Sequence, residues 1–435
     1  MNKIFGTDGI RGIFNKELTV DLSMKIGKAV AHVLAPNSGK IIIGKDTRLS
    51  SDSIECAIAS GVCSCGSSAI LVGVIPTPGV AYLTRKNRAN AGIMISASHN
   101  SFEFNGIKIF DRNGYKISDE IQRKIENLIF SDFYDVSFPI GDKVGSIKQE
   151  KGYMTQYVNY LKEYIKSLDV KVMFDCANGA SCNCASKVFR RMFHYDFMNN
   201  TPDRININKE CGSTYLTPLS QKVIENGYDL GIAYDGDADR CLAIDENGGA
   251  IDGDHIIAAL ALDMKENSNL MNNAVVGTTM SNMSLSDFLK EHDIEFIAAQ
   301  VGDKFVSEEM RKQGCSIGGE QSGHIIFSDY STTGDGILTS IMLINLVGKL
   351  KKASKISNYF EKYPQCVRNL KIVGGNDFYN SDSFRRVLSN MRNILAEDGR
   401  ILVRRSGTEP LIRVMIEAKN TGLLKKAERE LGPFE

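Results

Sequence analysis

The sequence predicts an α/β protein: three α/β domains with mixed, mostly parallel sheets, then a smaller C-terminal α+β domain. Three observations carry this. Short apolar runs alternate with helix-spaced segments from Lys40 onward, the same rhythm returns twice, and the tail breaks it. The 435 residues, 43% hydrophobic and 24% charged, fit a globular chain of roughly two to four domains.

The first unit opens with KIIIG at 40–44, a β-branched run. SSDSIECAIASGVCSCG supplies a serine cap and apolar residues at 54, 57, 58 and 62, which is helical spacing. SSAILVGV is the next strand, TPGVAYLTRKN a second helix and AGIMIS a third strand. Their short links imply parallel strands with helices on the sheet faces. LDVKVMFD, ASCNCASKVFRRMF and DLGIAY form the second unit. NAVVGTT, SLSDFLKEHD, EFIAAQ, DKFVSEEMRKQG and CSIGG form the third. The tail is a helix over Ser381–Leu395, then GRILVRRSGTEPLIRVMIEAKN, two strands around a glycine-containing loop. Polar stretches and turns place the domains at 1–145, 146–247, 248–357 and 358–435.

Lys+Arg and Asp+Glu both number 52, so the formal net charge is zero, which argues against a general binder of nucleic acid or anionic membrane. The opening MNKIFGTDGIRG lacks the apolar core of a signal peptide, and no apolar run approaches a membrane-spanning length. The ten cysteines form two C-x-C pairs, Cys63/Cys65 and Cys182/Cys184, and no C-x-x-C with a histidine partner. They read as small core residues of a reducing compartment, so a cytoplasmic location is expected.

Each α/β unit delivers a polar motif straight after an apolar strand (SASHN, YDGDADR, GGEQSGH), where open parallel sheets bind ligands. In DGDADR, Asp235, Asp237 and Asp239 alternate, so an extended segment would point all three carboxylates one way. Packed carboxylates repel unless a cation holds them, and oxygen ligands suit Mg²⁺ or Ca²⁺. An EF-hand is excluded by Arg240 at its glycine position and by the strand that precedes the motif. Mg²⁺ commonly shares its shell with phosphate, and two stretches are candidate phosphate holders. One is SGTEP, with Arg404, Arg405 and Arg413 nearby. The other is SASHN, where a phosphorylated Ser96 or Ser98 would supply the missing oxygen. Ser98 lies past the strand end and is favoured, with cations such as Lys108, Arg11 and His99 to stabilise the transferring phosphate. In GGEQSGH, Glu320, Ser322 and His324 alternate and could face one hydroxyl-rich ligand, with His324 able to move protons. Taken singly, SGTEP reads equally well as a surface hairpin, SASHN reads better as a polar turn, and GGEQSGH is a weak signal against an ordinary hairpin turn.

Taken together, GTDGIRG at 6–12, SASHN at 96–100, NGIK at 105–108, DGDADR at 235–240, GGEQSGH at 318–324, TTGDG at 332–336 and RRSGTEPLIRVM at 404–415 resemble the α-D-phosphohexomutase superfamily. The resemblance spans essentially the whole chain and is nearest to the bacterial phosphoglucosamine mutase branch. It implies a heart-shaped arrangement of four domains around one cleft. Ser98 would be the phosphoserine, sharing Mg²⁺ with Asp235, Asp237 and Asp239. Arg11, His99, Lys108 and Arg240 would neighbour the transferring phosphate, and Glu320 and Ser322 would hold sugar hydroxyls. His324 or Lys108 would be the acid/base group. Arg404, Ser406, Gly407, Thr408 and Arg413 would grip the phosphate that does not react. The implied reaction interconverts glucosamine 6-phosphate and glucosamine 1-phosphate through a sugar 1,6-bisphosphate, on the route to UDP-N-acetylglucosamine. Phosphomannomutase or phosphoglucomutase activity is the alternative within the superfamily; a Mg²⁺ phosphatase and a non-catalytic sugar-phosphate sensor are the alternatives outside it. A phosphosugar is the expected partner, with no nucleic acid and no membrane, and a homodimer is an expectation of the resemblance alone. Two positions depart from the family pattern. Ser101 replaces the usual proline after SASHN, which predicts a looser loop and slower turnover. Lys304, in GDKFV, replaces an arginine.

Overall fold

The computed structural model describes residues 3–6, 8–36, 38–372, 378–405 and 411–434. They fall into two units, Met1–Met280 with Asp293–Tyr359, and Ser281–His292 with Phe360–Glu435.

The first unit begins with β1 (Ile10–Ile13), α1 (Val20–Leu34), β2 (Lys40–Lys45), α2 (Ser51–Ser64), β3 (Ser68–Val74), α3 (Thr77–Lys86), β4 (Ala91–Ile95), β5 (Phe104–Asp111), α4 (Asp119–Phe130) and β6 (Ile147–Gln149). The strands form one sheet in the order β1-β5-β4-β2-β3-β6. β2, β3, β4 and β6 run parallel, while β5 is antiparallel to β4 and β1 to β5. Ile41, Ile43, Ile93 and Ile95 bury themselves in one core with Ile26 and Val30 of α1 and Ile54 and Ile58 of α2. Each such side chain contributes roughly 1.5–3 kcal/mol of transfer free energy. The two helices cross at glycine: a Cβ on Gly27 would lie 2.3 Å from the Ile58 carbonyl oxygen, so no larger residue permits this approach.

Next come α5 (Gly152–Lys162), β7 (Val172–Asp175), α6 (Ser181–Val188), β8 (Tyr195–Met198), α7 (Thr217–Asn226), β9 (Leu230–Tyr234), β10 (Cys241–Asp245) and β11 (Ala250–Ile251), with sheet order β11-β10-β9-β7-β8. The third α/β segment holds α8 (Gly253–Glu266), β12 (Ala274–Thr278), α9 (Met283–Glu291), β13 (Glu295–Ala299), α10 (Asp303–Gln313), β14 (Ile317–Gly319), β15 (Ile325–Phe327), α11 (Gly336–Leu350) and α12 (Ser354–Ser357). Its sheet order is β13-β12-β14-β15.

The second unit contains β16 (Gln365–Lys371), α13 (Asp382–Leu395), β17 (Gly399–Arg405), β18 (Leu411–Ala418) and α14 (Thr421–Glu428), with an antiparallel sheet β16-β18-β17. It also claims α9. The Met283 N–H donates to Glu417 Oε1 at 2.9 Å, and the Tyr363 hydroxyl donates to Asp287 Oδ2 at 2.8 Å.

α9, which stands between β12 and β13 in the chain, also packs with the tail, and β6 pairs with β3 just past residue 145. One sequence expectation needs correction. Ser50 does not cap α2 through its side chain, because its Oγ accepts from Asn105 Nδ2 of β5 at 2.9 Å. The cysteines are all free thiols, most of them buried, as small core residues should be. Among the described residues no helix is long and apolar enough to cross a membrane.

Candidate active site

The chain leaves β4 at Ile95, and Ser98 follows in the left-handed region at φ +54°. A serine stays there only where its surroundings impose it. Its N–H donates to Ser96 Oγ at 2.9 Å, and its carbonyl accepts from Arg48 Nη2 and Asn208 Nδ2, each at 2.9 Å. The Oγ that results points at the second motif, donating to Asp235 Oδ2 at 2.6 Å. His99 Nδ1 lies 3.5 Å from the same Oγ. Ser96, the competing serine, instead donates to Asp46 Oδ2 at 2.6 Å and serves the loop's own architecture.

Asp235–Arg240 follows β9 as a turn, not as the extended segment read from alternation: Ala238 has φ +54°, and its N–H returns to the Asp235 carbonyl at 3.0 Å. The three carboxylates converge all the same, with ligand atoms within 4.8 Å of one another. The turn packs flush on the serine loop at Gly236, where a Cβ would meet the Ser98 carbonyl oxygen at 2.6 Å. Thr77 at the start of α3 donates to Asp237 from both its N–H and its hydroxyl.

This cluster fits a divalent cation. Its donors are all oxygen, all three aspartates are buried, and Asp237 Oδ1 and Asp239 Oδ1 accept no hydrogen bond. Burial, then repulsion from Asp239 and Asp237, pushes Asp235 up to about 8.

Around the triad runs a buried network of charge. Lys108 Nζ donates to Asp237 Oδ2 and Asp239 Oδ2 at 2.8 Å each and lies 3.4 Å from Asp8 Oδ2. Burial would lower its pKa, but Asp237, Asp239 and Asp8 more than offset this and hold it well above the usual lysine value. Asp8 also pairs with Arg11 at 2.5 Å and with Lys116, and Lys116 pairs in turn with Asp303. Arg11 Nη1 donates to Asn100 at 2.9 Å, joining the network to the serine loop. His324 stands between Asp239, 3.7 Å from Nδ1, and Asp303, 3.4 Å from Nε2. The Gly334 N–H donates to His324 Nε2 at 2.9 Å, so in the neutral ring the proton sits on Nδ1, facing Asp239. Burial lowers the His324 pKa, and Asp239 and Asp303 raise it by more. His99, expected from the sequence to be a cation, is instead neutral at pH 7: burial, then Arg240 and Arg11, push it down to about 4. The Arg240 N–H donates to Asp235 Oδ1 at 3.2 Å, and its buried Nε has no acceptor.

Glu320 and Ser322 sit half-buried on the turn between β14 and β15, where Glu320 Oε1 accepts from the Gly302 N–H at 3.1 Å. Burial raises the Glu320 pKa, and the nearby Asp303 adds to the rise. Lys304 turns aside to Asp119, 2.5 Å away. In the second unit, Arg404 and Arg413 are direct cross-strand partners, so both side chains stand on one face of the sheet. Ser406, Gly407 and Thr408, expected to grip phosphate between them, lie outside the described residues.

The structure thus brings Ser98, His99, Arg11, Lys108, Arg240, His324 and the three aspartates together. No role was read in the sequence for Asp8, Asp46, Arg48, Thr77, Lys116 and Asp303. Asp8 and Asp303 lie inside GTDGIRG and GDKFV, and Asp46 and Arg48 carry a positional signal: DTRLSS follows β2 as SASHN follows β4, at the same carboxyl edge of the sheet.

Comparison with known proteins places these observations in a family. Residues 2–135, 151–249 and 252–365 match the phosphoglucomutase/phosphomannomutase alpha/beta/alpha domains I, II and III, and residues 362–431 match the family's C-terminal domain. The chain is 48% identical to a phosphoglucosamine mutase of Clostridium kluyveri over 99% of its length and 98% of the relative's. It is 44% identical to that of Acetivibrio thermocellus with the same coverage. Among solved structures, a phosphoglucomutase/phosphomannomutase family protein from Burkholderia thailandensis superposes with a TM-score of 0.83 at 22% identity, covering 99% of this chain and 97% of that one. Aspergillus fumigatus N-acetylphosphoglucosamine mutase, in complex with GlcNAc-6P and magnesium, has a TM-score of 0.68 at 16% identity, covering 99% and 95%. At these identities the structural matches speak for the fold.

Proposed function

The chain belongs to the phosphoglucomutase/phosphomannomutase family, and from that premise we propose that it is a phosphoglucosamine mutase, an isomerase interconverting glucosamine 6-phosphate and glucosamine 1-phosphate. Curated relatives bearing that name at 44–48% identity over nearly the full chain support this choice over a phosphomannomutase or phosphoglucomutase. One observation carries the chemistry: a buried serine hydroxyl, held in a left-handed turn, lies 2.6 Å from a carboxylate of an aspartate triad.

Ser98 carries the phosphate between turnovers and gives it to the sugar. The sugar 1,6-bisphosphate so formed reverses in the site, and its other phosphate returns to Ser98. Asp235, Asp237, Asp239 and a phosphoserine oxygen would hold Mg²⁺, which supplies positive charge against the phosphoryl oxygens. Lys108, held as an ammonium ion, and Arg11 and Arg240 add fixed positive charge beside Ser98. His99, neutral, presents a ring nitrogen to the serine oxygen. His324, with Nε2 taking the Gly334 N–H and Nδ1 facing Asp239, is the acid/base group. It takes the sugar hydroxyl's proton as the new phosphorus–oxygen bond forms and the bond to Ser98 Oγ breaks, and returns a proton to that serine oxygen. Glu320 and Ser322 hold sugar hydroxyls, and the tail's Arg404, Ser406, Gly407, Thr408 and Arg413 grip the second phosphate.

Phosphorus NMR with Mg²⁺, a trace of sugar 1,6-bisphosphate and glucosamine, glucose or mannose 6-phosphate in parallel tests the assignment. Glucosamine 1-phosphate should form fastest. Faster turnover of glucose or mannose phosphate would reassign the sugar, and free phosphate as the main product would indicate a phosphatase.

A further inference from the structure

Arg48 is fully buried, and all five of its guanidinium N–H donors are used. Nε donates to Asp46 Oδ2 at 2.8 Å. The two terminal nitrogens donate to four backbone carbonyls of a single loop: Nη2 to Ser98 and Asn100 at 2.9 Å each, Nη1 to Phe104 at 2.9 Å and to Ser101. Asp46 is the other half of the device. Its carboxylate accepts from Arg48 Nε and N–H, from Ser51 Oγ at 3.1 Å and from Ser96 Oγ at 2.6 Å. Ser96 Oγ then accepts the Ser98 N–H at 2.9 Å. Both backbone polar groups of Ser98 are therefore tied, one directly and one through a single hydroxyl, to the same buried ion pair.

We propose that Asp46 and Arg48 form a positioning clamp that imposes the left-handed conformation of Ser98 and thereby aims its Oγ at the aspartate triad. The proposal rests on Ser98 being the phosphate carrier. Neither residue touches Ser98 Oγ, so the clamp acts through the backbone. Arginine is required because a planar fork reaches carbonyls on two sides at once, whereas a lysine ammonium offers three donors from one point. The clamp also answers the absence of proline at 101: the carbonyl of exposed Ser101 is held by Arg48, so the loop's stiffness comes from outside it.

The test uses full-length protein phosphorylated by glucose 1,6-bisphosphate, with Arg48→Lys, Arg48→Ala and Ser96→Ala as variants. The single-turnover rate of phosphate transfer to glucosamine 6-phosphate should fall about 10- to 100-fold, the scale of an ångström-size misplacement. The dissociation constant for glucosamine 6-phosphate should stay within about twofold, because the clamp does not contact the sugar. Millimolar guanidinium should restore much of the Arg48→Ala rate, and methylammonium should not. Ser96→Ala removes one hydroxyl and decides the matter alone if the Arg48 variants do not fold. A folded Ser96→Ala protein at the wild-type rate, or equal losses in sugar binding and in transfer, would overturn the clamp. Wild-type protein that transfers no phosphate would overturn the reading of Ser98 on which the clamp rests.

Discussion

Lys108 offers the sharpest quantitative test of the charge network. Lys108→Met keeps most of the side-chain bulk and removes an ammonium ion 2.8 Å from Asp237 and from Asp239. The three side chains are 1%, 0% and 4% exposed, so solvent screens little of what is lost. Removing one partner of a buried ion pair costs about 3–5 kcal/mol. Each carboxylate keeps another contact, since Asp237 still accepts from Thr77 and Asp239 still has the His324 ring at 3.7 Å. The lower end, about 3 kcal/mol, is therefore expected. In the unit of roughly 350 residues that holds the pair, at about 2.1 cal/mol/K of unfolding entropy per residue, this lowers the midpoint by about 4 °C. Scanning calorimetry in chelator at pH 7 measures the deficit, which should persist in concentrated salt because the pair is buried. Added Mg²⁺ should recover part of the midpoint, since a bound cation stabilises the folded state by mass action. A variant melting within about 2 °C of wild type in chelator would refute the reasoning, because the triad would then not depend on that ammonium.

Ser101→Pro should raise turnover by no more than about twofold and stability by about 0.4–1 kcal/mol, because Arg48 already restrains the loop; a several-fold rise in kcat would show that Arg48 leaves the loop loose. Asp335, which caps α11 and accepts from the Tyr157 hydroxyl at 2.8 Å, is pushed up to about 6 by burial, against the pull of its hydrogen bonds. Between pH 3.8 and about 6 the folded chain holds a proton there that the unfolded chain has released, so this group's contribution to stability falls as pH rises. Relative to wild type, Asp335→Asn should therefore gain about 2–3 kcal/mol between pH 4 and pH 7 in urea titrations, and parallel curves would contradict this. Dialysis against a chelator should abolish turnover, with recovery on adding Mg²⁺, and Asp237→Asn should weaken Mg²⁺ binding by tenfold or more in calorimetric titration; full activity after chelation would exclude the cation from the reaction.

The strand–helix rhythm was legible because runs such as Ile41–Gly44 and Ala91–Ile95 are buried on both faces of their sheet and so stay apolar. The aspartate triad was legible because three carboxylates within six residues have few structural uses. Its geometry was not, since the left-handed Ala238 that folds DGDADR into a turn has no marker in an alanine. Asp8, Lys116 and Asp303 lie far apart in the sequence, and only tertiary packing makes them a network. α9 looked like one more crossover helix because its neighbours in sequence are strands. The side chains that attach it to the tail, Tyr363 and Glu417, lie far along the chain.

The most direct test of the central claim is to follow one phosphate. Protein would be loaded from glucose 1,6-bisphosphate labelled in its phosphates, digested and mapped by mass spectrometry before and after a chase with unlabelled glucosamine 6-phosphate. The account predicts a single labelled site at Ser98, loss of that label to sugar phosphate during the chase, and no labelling or turnover in Ser98→Ala. Label on another residue, or label leaving Ser98 only as inorganic phosphate, would contradict it.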